Sequence, residues 1–135
     1  MFSLKRIAQP LDDDEAAERI ANGWATSSVL MSQLLAARGV PYVHVIQPNQ
    51  YYPTSRRFSD EEKRIAFTDQ GAVKAGAIKV YPRLLGRVER LRASGVDVLN
   101  GVKVFDEVAD AVYVDNCRHY NTAGRGHAPG AGGVR

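Results

Sequence analysis

Residues 40–46 place the strongest constraint on the fold, because Tyr42, Val43, Val45 and Ile46 make this stretch apolar on both of its alternating sets. A strand with two apolar faces is covered on both sides, the pattern of a central strand in a parallel sheet. The neighbouring sequence is helical. Asp12, Asp13, Asp14 and Glu15 suit a helix N-terminus, where unpaired amides and the dipole favour negative charge. From there Ile20, Trp24, Ser27, Met31, Leu34 and Leu35 recur at helical spacing, which predicts that they form the packed face, and Gly39 suits a left-handed stop. The strand then ends in the polar loop Gln47, Pro48, Asn49 and Gln50.

Beyond this loop, residues 51–81 read as an irregular excursion with some helix. Ser59 caps a short helix through Asp60, Glu61 and Glu62, while Gly71 and Gly76 weaken a longer one. Pro82 suits the first turn of a second helix carrying Leu84, Leu85, Val88 and Leu91, closed by Ser94 and Gly95. Residues 96–99 form another strand, Phe105 falls in the following loop, and the apolar run 111–114 delivers Asp115 and His119 to a strand end or loop. Residues 1–124 therefore form one α/β domain, and residues 125–135, rich in glycine and containing Pro129, read as a disordered tail. Alternating helices and strands imply a parallel sheet with right-handed crossovers in a three-layer α/β architecture. Ligands of such sheets sit outside the carboxyl ends of the strands, where the loops 47–52 and 115–119 are expected to converge.

Composition excludes several classes of function. The 135 residues are 44% hydrophobic and 24% charged, as in an ordinary globular protein. The net charge of +3 is dispersed, and neither Arg56-Arg57 nor Lys63-Arg64 grows into a basic tract, so no nucleic-acid partner is expected. No segment approaches the ~20 apolar residues of a membrane span, and the first ten residues lack the apolar region of a signal peptide. Cytoplasmic location is the default expectation, and Cys117, the sole cysteine, allows no disulfide within the chain. His44, Cys117, His119 and His127 lack zinc-site spacing, so no metal and no cofactor is assigned.

The chemistry concentrates at residues 113–121. Asp115 precedes His119 by four residues, and a carboxylate beside an imidazole fixes its tautomer and stabilises its charged form. This is the base-and-orienter part of a nucleophilic triad. No serine or cysteine in a sharp glycine-rich turn accompanies it. Ser27 and Ser28 fall in mid-helix, where a hydroxyl lies against its own backbone, and Cys117 reads as a buried or inert thiol. A local structural role for His119 is the alternative. Asn49 and Gln50 are candidate substrate contacts at the sheet edge, or simply turn formers, and His44 reads as a partly buried strand residue.

Residues 39–51, Phe105 and residues 113–124 resemble the C-terminal half of an SGNH (GDSL-like) hydrolase, a resemblance covering about residues 16–124. It implies a flavodoxin-like α/β/α sandwich and hydrolysis of small-molecule, carbohydrate or lipid esters, with His119 as general base and Asp115 as its orienting acid. The family carries its nucleophile in an N-terminal Gly-Asp-Ser block, which this sequence lacks. The family spacing of three between acid and histidine points to Asn116, and a bulge would restore Asp115. Residues 125–130 stand where the family has a closing helix, and a shifted reading frame would produce such a tail. By this resemblance the chain supplies the His/Asp end of a triad and is inactive alone; the alternative is a non-catalytic remnant or a ligand- or partner-binding α/β module. Missing N-terminal strands would leave a sheet edge exposed and favour self-association.

Overall fold

The computed structural model describes residues 11–69 and 71–122. The expectations for Gly124, His127 and residues 125–135 lie outside the described residues. Helix α1 (Asp13–Ala36) begins where the acid cluster predicts, with Asp12 as N-cap accepting the amide of Glu15 at 2.8 Å. Gly39 follows its end at φ +66°. Strand β1 (Val43–Ile46) leads through helices α2 (Asp60–Ala66), α3 (Ala72–Leu85) and α4 (Val88–Ala93) to strand β2 (Asp97–Asn100). The two strands pair in parallel, Val43 opposite Asp97 and Ile46 opposite Asn100. The architecture is thus mixed α/β with a small parallel sheet.

Helices α1, α3 and α4 lie on one face of that sheet. His44 and Ile46 face them: the His44 ring meets Trp24 of α1 edge-on at 4.6 Å, and Ile46 joins a core with Tyr51, Ala77, Tyr81, Val88 and Val102. Val43 and Leu99, on the opposite face, are exposed. The expectation of a strand covered on both faces is therefore not met among the described residues, and β1 is shorter than the apolar run 40–46.

Helices α1 and α3 run side by side in the same direction. Lys79 pairs with Asp13 at 3.2 Å, Arg83 with Asp14 at 3.1 Å and Glu18 at 3.4 Å, and Arg87 with Glu18 and with Asn22 Oδ1 at 2.9 Å. Cations four residues apart thus face acids four residues apart along one seam. The residues buried on α1 are Ala17, Ala21 and Ser28, and Ala77 is buried on α3. This corrects the predicted packed face: Ile20 and Leu34 are 57% and 66% exposed, and Met31 is exposed as well. Closely spaced helices take small side chains at their contact, so size overrides apolar periodicity here. Pro82 also lies elsewhere than predicted, in the last turn of α3, which runs through Gly76. Without an N–H it cannot bond the Ile78 carbonyl one turn back, while Arg83 and Arg87 donate to the carbonyls of Lys79 and Arg83, near the helix end, at 2.6 and 2.7 Å.

A second core unites α2 with residues 101–121. At its centre the side chains of Arg56 and Glu62 are 3% and 1% exposed and paired at 2.8 Å. Arg56 also donates to the carbonyls of Phe105, Val108 and Asp110 at 2.9, 2.7 and 3.0 Å, while Glu62 Oε1 accepts the amides of Val112 and Tyr113 at 2.9 and 3.0 Å. Phe58, Phe105 and Tyr113 surround the guanidinium. Ser59 caps α2 as predicted, which places Glu62 one turn inside it.

Two stability measurements follow. Removing one member of a buried ion pair strands the other, so Glu62→Ala should cost about 3–5 kcal/mol in urea unfolding. Asp60→Asn, at an exposed pair with Lys63, should change stability by about 0.5 kcal/mol or less. His44 supplies the second. Its Nδ1 lies 2.6 Å from the Ser28 hydroxyl and 3.0 Å from that of Tyr42, and burial holds its pKa below the usual 6.5. Below 6.5 the unfolded chain binds a proton that the folded chain resists, so His44 subtracts stability as pH falls from 6.5 toward its folded pKa. The melting temperature should drop across that window, and His44→Gln should remove this contribution.

Candidate functional site

The loop leaving β1 folds on its own side chains. Asn49 Oδ1 accepts the amide of Tyr51 at 2.9 Å, and the Asn49 carbonyl accepts that of Tyr52 at 3.1 Å. Tyr81 of α3 fastens the loop from below, donating its hydroxyl to the Gln47 carbonyl at 3.1 Å.

Facing it, residues 113–120 close through an antiparallel bridge between Tyr113 and Tyr120. Within the turn, Asp115 Oδ1 accepts the amides of Cys117 at 2.7 Å and His119 at 3.3 Å, and Asp115 Oδ2 contacts His119 Nδ1. The four-residue spacing therefore brings Asp115 to the histidine through a turn, while Asn116 Oδ1 is the acceptor for the Cys117 thiol. The hydrogen bond from His119, together with those two amides, holds the Asp115 carboxyl below its usual pKa. Among the described residues, no hydroxyl or thiol hydrogen-bonds the other ring nitrogen of His119, whose side chain is 71% exposed. Cys117 is exposed, which corrects the buried alternative of the expected buried or inert thiol.

Direct hydrogen bonds join the two loops. The buried Gln50 donates Nε2 to the carbonyls of Asp115 at 3.3 Å and Ala66 at 3.1 Å, and the Tyr51 hydroxyl donates to the Asn116 carbonyl at 3.3 Å. Tyr120, its hydroxyl pKa pushed up to about 12 by burial, donates to the Pro48 carbonyl at 2.8 Å. Gln50 thereby positions the Asp115 loop.

Beside this junction, at the carboxyl end of β1, an open cleft of about 400 Å³ lies between α1, α3 and the two loops. Asn49 and Arg118 line it together with Trp24, Ile46, Gly76 and Tyr81. Gln50 and His119 are not part of its wall. Arg118 escaped the sequence reading because nothing in residues 115–119 shows that its backbone turns left-handed, at φ +70°. Among the described residues, no three His, Cys, Asp or Glu side chains form a group that could hold a metal ion, and no helix is long and apolar enough to cross a membrane. Comparison with protein-family models, with curated proteins and with solved structures finds no match.

A positive φ is unfavourable for a residue carrying a Cβ, and the Asp115 hydrogen bonds on either side impose it on Arg118. Arg118→Gly should therefore stabilise the chain by about 0.5–1 kcal/mol in urea unfolding.

Proposed function

We infer that this chain is the histidine- and acid-bearing part of an SGNH-type ester hydrolase. The observation that carries this reading is the Asp115–His119 pair, made within a turn that is hydrogen-bonded to the loop leaving β1. With Nδ1 held by the carboxylate, Nε2 is the ring atom available to accept a proton. A serine supplied from outside this chain attacks an ester carbonyl as His119 removes its proton, and Asp115 stabilises the imidazolium. The same proton then passes to the departing alcohol, and water activated by His119 releases the acid from the acyl-serine. In this reading the two-strand sheet is part of a flavodoxin-like three-layer sandwich, and further strands pair with its open edges. Without them the chain associates with itself through those edges.

A binding module without catalysis is the second reading, favoured by the separation between His119 and the wall of the cleft. A fluorophosphonate probe with intact-mass readout discriminates. The chain alone should remain unlabelled. Fused behind a Gly-Asp-Ser-bearing segment of an SGNH hydrolase, it should allow labelling of that serine, and His119→Ala should slow labelling by about 10³-fold or more. Equal labelling of the His119→Ala fusion would overturn the hydrolase reading, and a stoichiometric serine adduct on this chain alone would overturn the supply of the nucleophile from outside it.

A further inference from the structure

The cleft at the end of β1 combines an apolar body with a cationic rim. Trp24, Ile46, Gly76 and Tyr81 contribute to its floor and walls, and Asn49 and Arg118 stand on the side of the two joined loops. Among the described residues Arg118 has no ion-pair partner, whereas Arg83 and Arg87 at the α1–α3 seam are matched to acids. Asn49 is 3% exposed and has its Oδ1 occupied by the Tyr51 amide, so its NH₂ group is the polar function left to a ligand. A guanidinium and an amide donor select an anion with paired oxygens. The apolar walls select a hydrocarbon body of limited length, since the cleft lies near the lower end of the small-molecule range of roughly 300–1,000 Å³.

We propose that this cleft binds a medium-chain aliphatic carboxylate, its head group on Arg118 and Asn49 and its chain against Trp24 and Gly76. The site does not depend on the hydrolase reading, because neither His119 nor any serine takes part in it. The left-handed backbone at Arg118 fits this role, since an unfavourable conformation is kept where it aims a functional side chain.

Trp24 is the only tryptophan, so its fluorescence reports on the cleft directly. Titration of the full chain with sodium octanoate, below the concentration at which it forms micelles, should shift Trp24 emission saturably. Sodium acetate and 1-octanol should each bind at least about tenfold more weakly, since each lacks one of the two recognised parts. Arg118→Gln should weaken octanoate about tenfold or more. A Cβ at Gly76 meets no atom within 4 Å, so Gly76→Leu should fill the space and abolish the shift, with circular dichroism confirming the fold. Octanol binding as tightly as octanoate would overturn the assignment of Arg118, acetate binding as tightly would overturn that of the apolar walls, and no saturable shift would overturn the site. These three ligands decide the question on the unaltered chain, whatever the variants do.

Discussion

The buried ion pair of Arg56 and Glu62 is the contact on which the candidate site depends. Residues 101–121 contain no strand or α-helix of ordinary length, so their carbonyls and amides lack the partners that regular structure provides. One guanidinium and one carboxylate supply them, binding three carbonyls and two amides of this segment while neutralising one another. Phe105, Val112 and Tyr113 can then pack against α2 without stranding polar backbone. A buried pair of this kind gains little over a well-packed apolar substitute in isolation. Here its value lies in organising the backbone that leads into Asp115 and His119.

A second constraint acts at the other end of the molecule. The acid and base ladder between α1 and α3 joins exposed acids to half-buried cations, so solvent screens each pair, yet its periodicity matches the two helices in one register. Small residues at their contact permit close approach. Further toward the carboxyl end of β1 the helices and the two loops leave the open cleft. Its shape therefore follows from helix register and loop anchoring together.

The site joins two kinds of chemistry on one turn. Asp115 and His119 form a pair suited to proton transfer, and Arg118 between them and the cleft is suited to recognising an anion. The turn at residues 115–119 puts Arg118 in the wall of the cleft and leaves Asp115 and His119 outside it. The hydrolase reading uses the first and requires a nucleophile from outside the chain; the carboxylate site uses the second and requires nothing further. Gln50 and Tyr51 serve both, because their hydrogen bonds fix where the turn sits.

Local signals were readable along the chain because the physics behind them is local. Asp12 and Ser59 cap helices, Gly39 and Gly95 take positive φ after helix ends, and two short strands appear where β-branched residues cluster. The carboxylate four residues before His119 also proved sufficient for a turn to unite them. What periodicity missed depended on neighbours distant in sequence: alanines rather than Ile20 and Leu34 are buried on α1, and Pro82 closes a helix instead of opening one. Arg56 gave no sign of being more than a surface charge, since its partners lie up to 54 residues away. The sequence by itself thus determined α1, α2, the two strands and the acid–histidine pair, each set by interactions within a few residues, but not the extent of α3. Tertiary structure alone decided which faces are buried, which charge is sequestered and that Arg118 borders a cleft, because burial and electrostatic pairing depend on what the folded chain brings alongside.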